Sequence, residues 1–354
     1  MPPCYGPDQI RTAYDVPSNV TGAGRTIVII GAFQSPAVVS DLAGFDTMWE
    51  LAAASLTVVA PDGAPPFDPS QAPWLSEQSI NVEWAHAIAP GASLVLVQAK
   101  SSADDDILSA TKYAIDHNLG DVIAMPFSEA ESCPSSALLA SEHAAFRHAT
   151  VNGITLVAAS GDTGSAQPTC DGSLVLAAGT PASDPLVTAV GGTRVNADLA
   201  SGRYGSEVAW SRSGGGFSAV YRRPGYQART GDDNRHRGVP DVAWSADIVG
   251  GSLVRINHHN GAVGGTSVGT AAWAGVAALA DQAAGHRLGL LNYFLYQLSR
   301  TGHFHTAFHD ITAGSNGFAG FPGQNAVAGW DPVTGLGSPD VAHLVSALAQ
   351  RADD

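Results

Sequence analysis

The sequence predicts a single large α/β domain in which a parallel β-sheet carries helices on both faces. Apolar runs rich in β-branched residues recur along the first half of the chain, as strands covered on both faces require. Helical patterns lie between these runs, and such alternation favours right-handed βαβ units. With 354 residues, of which 45% are hydrophobic, the chain is long enough to bury the core of this domain.

Each strand and helix is predicted from its own pattern. The strands are expected at residues 25–33, 94–99, 122–127, 154–159 and 187–190, and the helices at residues 5–14, 41–51, 76–89, 104–118 and 135–151. Residues 194–260 are richer in Gly, Arg and Ser and contain short strand-like pieces, and we expect a long, loop-rich excursion there. No internal repeat or linker divides the chain into two domains.

Charge and composition argue against several classes of partner. The formal net charge is −15, which disfavours nucleic acid or an acidic membrane surface. No apolar run is long enough to span a membrane, and residues 1–30 lack the basic start and apolar core of a signal peptide. We therefore expect a globular protein with neither a nucleic-acid nor a membrane partner.

Three cysteines are too few for a disulfide scaffold, and their spacing is not that of a metal site. Cys133 and Cys170 each follow a predicted strand in a polar loop, so one disulfide between them is one interpretation. Free buried thiols are the other interpretation, and the sequence does not decide between the two.

The stretch at residues 264–275 brings a serine to the start of a helix of small residues. Gly264 and Gly265 allow a sharp turn, and residues 267–283 are mostly good helix formers. Ser267 is therefore expected at a helix N-terminus, where unpaired N–H groups and the helix dipole favour negative charge. A nucleophilic serine is one interpretation, and a serine that only caps the helix is the other.

A second helix supplies candidate acid and base groups. A serine cap at Ser76 and a stop at residues 90–91 delimit it. Glu77 and Asn81 lie four residues apart and share a face, whereas His86 lies half a turn away. Glu77 and Asn81 can therefore point at a common target, while exposed polar residues on a surface helix are the alternative.

Asp162 follows the predicted strand at residues 154–159 directly. The carboxyl ends of strands in a parallel α/β sheet are where active-site groups lie, so Asp162 is a candidate for such a group. An aspartate that begins a loop as an Asx-turn is an equally simple interpretation.

A glycine-rich segment at residues 213–218 contains Ser213, Gly214 and Gly215. Glycines admit an extended substrate backbone, so this segment is a candidate wall of a cleft. A flexible turn is the alternative.

Two aspartates near the C-terminus flank a loop rich in Gly and Asn. Loop closure would bring Asp310 and Asp331 together beside exposed backbone carbonyls. This all-oxygen environment is the one that Ca²⁺ prefers. Aspartates that only cap turns are the alternative.

In this order the segments resemble the sedolisin family, the serine-carboxyl peptidases that share the subtilisin fold but use Glu and Asp in place of His. The resemblance rests on residues 77–92, 160–164, 190–193, 213–218, 237–243, 264–267, 310–311 and 329–331. It implies a subtilisin-like parallel sheet in one peptidase domain over residues 1–354, with a C-terminal calcium-binding loop region. We expect this stretch to correspond to the mature form of the family, with neither signal peptide nor pro-domain in it. The resemblance also implies a secreted monomer.

The resemblance assigns roles to the candidate residues. Ser267 would be the nucleophile, Glu77 its general base and Asp162 the donor to the oxyanion, in an endopeptidase that acts on peptides or unfolded proteins at acidic to weakly acidic pH. One structural Ca²⁺ would be bound by the carboxylates and main-chain carbonyls of Asp310, Ile311, Val327, Gly329 and Asp331. The family has Gly where this chain has Val327, a harmless change if only the carbonyl is used.

The chain departs from the family beside the proposed base. The family has Asp four residues after the Glu, where this chain has Asn81. An Asn amide can donate to Glu77, but it cannot titrate or relay a proton. Our hypothesis is that Asn81 keeps the geometry, removes a like charge that would raise the pKa of Glu77, and moves the activity optimum toward weaker acid.

A second departure concerns substrate binding. At residues 124–128 the family has a Ser-aromatic-Gly edge that pairs with the substrate backbone. Here Pro126 lacks an N–H and Ser128 adds a side chain next to Phe127, although Phe127 and Ser128 remain the expected substrate-binding residues. Together the two departures leave an alternative from another class, a catalytically impaired relative that binds peptides or a partner protein without cutting.

Overall fold

An eight-stranded sheet lies at the centre of the structure, a computed structural model that describes residues 4–63 and 65–351. The labels β1 to β8 are used only for the strands of this sheet, in chain order. The strands are β1 Thr26–Ala32, β2 Ser55–Val59, β3 Ser93–Ala99, β4 Val122–Met125, β5 Thr155–Ala159, β6 Thr188–Ala197, β7 Tyr204–Ala209 and β8 Val242–Ser245. Their order is β7-β6-β5-β4-β1-β3-β2, and β8 also pairs with β6. All pairs are parallel except β6 with β7. The predicted parallel α/β sheet is confirmed.

Helices cover both faces of the sheet. They are α1 Pro7–Ala13, α2 Val38–Met48, α3 Ala72–Ile88, α4 Asp104–Asp116, α5 Ser136–Val151, α6 Thr266–Ala284, α7 Leu291–Leu298, α8 Phe304–Ala307 and α9 Val341–Arg351, with short 3₁₀ turns at Pro69–Gln71 and Gly225–Gln227. Successive residues of β1 face opposite layers, because strand side chains alternate. Ile27 and Ile29 belong to the core that includes α3 and α6, whereas Val28 and Ile30 belong to the core that includes α4 and α5.

Residues 194–260, expected as a loop-rich excursion with short strand-like pieces, contain several short strands. They hold β7, β8 and most of two two-stranded ribbons, Gly216–Arg222 with His236–Val239 and Ser252–Ile256 with His259–Val263. The predicted strand-like pieces are therefore present, although their bounds and pairing were not predicted. β8 is buried but only four residues long, and the other strands of this region are partly exposed, so none of them forms the long apolar run on which the strand predictions depended.

Other short strands pair outside the central sheet. They are Glu129–Ala130 with Gly179–Thr180, Ala166–Pro168 with Leu174–Leu176, and Phe308–His309 with Ser338–Pro339. The edge strand β2 was also missed, since its residues are partly or fully exposed and form no apolar run.

The helix that carries Glu77 starts earlier than predicted. It begins at Ala72, so Ser76 is not its cap; the Ser76 hydroxyl donates to the carbonyl of Ala72 at 3.1 Å, inside the first turns. Pro73 is compatible with this earlier start, because a proline in the first turn costs no hydrogen bond.

A disulfide joins Cys133 and Cys170, whose Cα atoms lie 5.3 Å apart. Of the two interpretations left open, the structure has the disulfide. It links the loop beyond β4 to the Ala166–Pro168 ribbon. Among the described residues, none of the helices combines the length and the apolar character that crossing a bilayer requires.

Candidate active site

Ser267 lies at the N-terminal end of α6, as predicted. It is the second residue of the helix and is only 6% exposed. The N-cap is Gly265, so Ser267 does not have the capping role that the alternative interpretation required. Its hydroxyl therefore lies where the helix dipole favours negative charge.

Gly265 has a backbone conformation that L side chains rarely adopt. Its φ is 129°, and a Cβ built on it would lie 2.8 Å from Oδ2 of Asp162 and 3.3 Å from Oγ of Ser267. The missing side chain leaves open the space that these two oxygen atoms border. A reacting carbonyl group needs such a space between a nucleophile and a hydrogen-bond donor.

Glu77 and Asn81 share one face of α3, as predicted. The Asn81 Nδ2 group donates to the main-chain oxygen of Glu77 at 2.6 Å and to its Oε2 at 3.3 Å. Asn81 is 1% exposed, and within the described residues its Oδ1 has no hydrogen-bond partner. His86 contacts the carbonyl of Ala52 at 2.8 Å and takes no part in this pair.

The environment of Glu77 suits a group that exchanges a proton. Burial raises the pKa of Glu77 to about 7, and the negative charge of Asp162 adds to the rise, whereas hydrogen bonds with Ser267 and Asn81 oppose it. A carboxyl with a pKa in this range can serve as a general base in weak acid. Because the Ser267 hydroxyl is among the groups that lower the pKa of Glu77, it is a neighbour that this base could deprotonate.

Asp162 follows β5 and is held by the first residue of α6. Both the N–H and the hydroxyl of Thr266 donate to its Oδ1 at 2.8 Å. Burial raises the pKa of Asp162, while these hydrogen bonds and the charge of Arg212 oppose the rise. A carboxyl that keeps its proton in weak acid can donate a hydrogen bond, and Oδ2, which borders the space beside Ser267, is the oxygen placed to do so.

The structure thus brings Ser267, Glu77 and Asp162 together from three segments that lie far apart in the chain. The two carboxyl groups interact electrostatically, so ionisation of one favours the neutral form of the other. One carboxylate and one neutral carboxyl around a hydroxyl can perform two different tasks, proton abstraction and oxyanion stabilisation.

Ser213 does not face a cleft. It is fully buried, its hydroxyl donates to the carbonyl of Val333 at 2.7 Å, and it accepts from the N–H of Gly192 at 2.8 Å. Both hydrogen bonds turn its side chain toward the protein interior and hold the loop there, and the substrate-binding role of Ser213 stays a prediction.

Gly214 and Gly215 pack tightly against neighbouring backbone. The Gly214 N–H donates to the carbonyl of Gly161 at 2.7 Å, and a Cβ on Gly214 would lie 2.0 Å from the carbonyl oxygen of Ser160. A Cβ on Gly215 would lie 2.1 Å from another backbone oxygen. These close approaches explain why glycine is required at both positions, and they attach the segment to the turn that carries Asp162. The substrate-binding role of Gly214 and Gly215 stays a prediction.

Phe127 and Ser128 line a pocket of about 150 Å³ together with Trp74 of α3. The rings of Phe127 and Trp74 lie 6.0 Å apart between centroids, and the Ser128 hydroxyl lies 3.4 Å from Oε1 of Gln167. Strand β4 ends at Met125, before Pro126, and not at residue 127 as predicted. A substrate that lies along the end of β4 would contact both side chains. This substrate-binding role of Phe127 and Ser128 stays a prediction.

The five residues of the expected calcium site gather around one turn. The Gly329 N–H lies 3.1 Å from both carboxylate oxygens of Asp310, and the Val327 N–H donates to Oδ2 of Asp331 at 3.1 Å. Ile311 is 2% exposed and follows Asp310. Two carboxylates therefore converge on a turn that also carries carbonyl oxygens, and this donor set fits Ca²⁺.

Two residues near the site escaped prediction. Thr266 could have been found from its place in the Gly-Gly-Thr-Ser stretch, because it precedes the serine and starts the helix. Arg212 carried no signal, since its contact with Asp162 depends on the packing of two distant loops.

The whole chain is similar to known proteins. Kumamolisin from Bacillus sp. (strain MN-32) is 33% identical over 373 residues, covering 99% of this chain and 65% of that protein. Sedolisin from Pseudomonas sp. (strain 101) is 29% identical over 365 residues, covering 96% of this chain and 60% of that protein. The chain thus spans less than two thirds of either relative.

A solved structure agrees with these relatives. The complex described as Pseudomonas sedolisin (serine-carboxyl proteinase) with two molecules of pseudo-iodotyrostatin superposes with a TM-score of 0.90 at 26% identity, covering 99% of this chain and 100% of that one. No family model matches the chain.

Proposed function

The chain belongs to the sedolisin family, and from this membership we propose that it is a serine-carboxyl endopeptidase that cleaves peptides or unfolded proteins at acidic to weakly acidic pH. The observation that carries the proposal is the convergence of Glu77 and Asp162 on Ser267. The proposed enzyme is a secreted monomer, and its disulfide supports secretion, because disulfides persist in oxidising compartments.

The proposed reaction proceeds through an acyl-enzyme. Glu77 takes the proton from the Ser267 hydroxyl as its oxygen attacks the peptide carbonyl, and neutral Asp162 donates a hydrogen bond to the resulting oxyanion. The C–N bond then breaks, and Glu77 returns its proton to the leaving amine. Water, activated by Glu77 in the same way, attacks the ester and frees Ser267.

The reaction requires opposite protonation states of the two carboxyl groups. Activity falls as the pH drops below about 7, the pKa of Glu77, because only the ionised fraction of Glu77 can accept the serine proton in weak acid and this fraction shrinks further in stronger acid. Activity falls toward alkaline pH because Asp162 loses the proton that it donates. A bell-shaped pH profile follows from these two titrations.

The alternative function is peptide or partner binding without cleavage. Its supporting observation is Asn81, which cannot titrate and whose Oδ1 is buried with no partner among the described residues. Incubation with an unfolded protein from acid to neutral pH, with Ser267→Ala as control, separates the two functions. New fragments from the wild type alone support the peptidase; no fragments at any pH, with peptide binding retained, support the alternative.

Asn81→Asp should move the pH optimum toward stronger acid. A second carboxyl at this position would share a proton with Glu77, and the first proton of such a pair leaves at lower pH than that of a lone buried carboxyl. The pair with one ionised carboxyl is the active form in this variant. It would therefore appear at a lower pH than the pH at which Glu77 ionises in the wild type. The measurement is kcat/KM against pH for both proteins, and coincident profiles would contradict the prediction.

Removal of Ca²⁺ should destabilise the fold. We propose that Asp310 and Asp331 bind one structural Ca²⁺ with the carbonyls of Ile311, Val327 and Gly329, and the convergence of both carboxylates on one turn supports this. A chelator should lower the free energy of unfolding by about 3 kcal/mol if Ca²⁺ was present at a hundredfold its Kd.

The readout for Ca²⁺ is thermal unfolding with chelator, then with Ca²⁺ restored. Asp310→Asn should abolish the difference, whereas Asp105→Asn, an exposed aspartate on α4, should keep it. A wild-type melting temperature that is the same with and without chelator would count against the site.

A further inference from the structure

Arg212 connects the loop that follows β7 to the turn that carries Asp162. Its Nε–H donates to the main-chain carbonyl of Asp162 at 2.9 Å, and its own carbonyl accepts from the N–H of Gly164 at 3.0 Å. Both hydrogen bonds hold the main chain directly after the Asp162 side chain, one at the carbonyl of Asp162 itself and one two residues later. The Asp162 turn is therefore fixed by Arg212 as well as by Thr266.

Two aromatic rings hold the Arg212 side chain in this position. Its guanidinium carbon lies 5.7 Å from the centroid of Trp210 and 5.0 Å from that of Phe318. Cation–π contacts at such distances stabilise the charged group and restrict its rotation. Although the residue is exposed, its charge has a defined position next to Asp162.

We propose that Arg212 is a positioning residue that holds the oxyanion donor Asp162 in place and sets the upper pH limit of catalysis. This inference rests on the proposed peptidase function, because it assigns a controlling residue to the same site. Nothing in the sequence pattern indicated such a role for Arg212.

The direction of the effect follows from the charges around Asp162. Glu77 faces it from α3 and Arg212 from the loop after β7, while Thr266 of α6 contributes only neutral donors. The cation of Arg212 stabilises the ionised form of Asp162 and so lowers its pKa against the effect of burial. Neutralising Arg212 should therefore let Asp162 keep its proton to higher pH.

The first experiment compares the pH profiles of the wild type, Arg212→Gln and Arg212→Lys. Glutamine removes the charge, so the alkaline limb of kcat should move to higher pH, and kcat at the optimum should fall roughly tenfold because Asp162 is held less firmly. Lysine keeps the positive charge but lacks the planar guanidinium group that donates to the Asp162 carbonyl. It should therefore lower kcat but leave the alkaline limb of the pH profile at the same pH. Identical limbs for the wild type and Arg212→Gln would overturn the inference.

The second experiment needs no activity. The protein carries Ser267→Ala and is labelled with ¹³C at the aspartate carboxyl carbons, which are observed by NMR. The Asp162 signal is identified by its loss in Asp162→Asn. Its chemical shift is then followed against pH with and without Arg212→Gln. Arg223→Gln, which removes an arginine paired with Asp232, is the matched control. A higher midpoint for Asp162 with Arg212→Gln alone supports the inference.

The two experiments keep the separate claims apart. An unchanged Asp162 midpoint in a folded Arg212→Gln protein overturns the role of Arg212. An inactive wild type at every pH overturns the proposed peptidase, and the carboxyl titration still decides whether Arg212 controls Asp162. If Arg212→Gln does not fold, the lysine variant supplies the test, since an upward shift of its alkaline limb would contradict the charge argument.

Discussion

Glu77→Gln should lower kcat/KM for peptide hydrolysis by on the order of 10⁴-fold and leave the fold intact. Glutamine has the shape of glutamate and can keep the hydrogen bond with Ser267, but it cannot accept the serine proton. The change therefore removes general-base catalysis and little else. Initial rates on a peptide substrate, taken together with the melting temperature, measure both effects.

The matched control lies on the same helix. Glu83 is fully buried, and burial raises its pKa to about 9, with the charges of Asp41 and Asp46 adding to the rise. It is therefore neutral in weak acid, and Glu83→Gln replaces a protonated carboxyl with an amide of the same shape. Full activity for Glu83→Gln beside loss for Glu77→Gln would locate the effect at Glu77. Comparable losses in both variants would show that α3 tolerates no such change and would remove the argument for a base.

Arg237→Met should destabilise the protein by about 3–5 kcal/mol. Arg237 and Asp241 are both fully buried, and the arginine donates to the two carboxylate oxygens at 2.8 and 2.5 Å. Asp241 also accepts from the N–H of Ala189 in β6 and from the hydroxyl of Tyr296, both at 2.8 Å. Removal of the arginine would leave a carboxylate buried without its cation. Urea denaturation followed by circular dichroism measures the loss.

Two further variants show whether the loss comes from the unpaired charge. Arg237→Met combined with Asp241→Asn should recover much of the stability, because no buried charge is left. Arg223→Met breaks a partly exposed pair with Asp232 and should cost less than about 1 kcal/mol. Equal losses in Arg237→Met and in the double variant would attribute the effect to packing instead of charge.

The central fold could be predicted because its strands are buried on both faces. The run from Ile27 to Ile30 is apolar throughout, since neither face of β1 meets water, and this distinguishes it from the exposed connections. The same criterion fails for β2 and β8. One is a partly exposed edge strand, and the other is four residues long, so neither forms a long apolar run.

The candidate site was predictable to the extent that its residues lie in local patterns. Ser267 follows a glycine turn, Glu77 and Asn81 are one helical turn apart, and Asp162 ends a strand, so each could be singled out from its neighbours in sequence. Their combined role came from the resemblance to the sedolisin family. Arg212 and the inward-facing hydroxyl of Ser213 could not be predicted, because both depend on loops that meet only in the folded chain.

The backbone at Gly265 also limits which changes the gene can accept. A codon change there to any other amino acid would place at least a methyl group against the two oxygen atoms of Asp162 and Ser267, in a conformation that resists side chains. If the chain performs the proposed cleavage, drift at this codon is confined to synonymous substitutions as long as selection maintains that reaction. Descendants that lose the reaction would be released from that restriction.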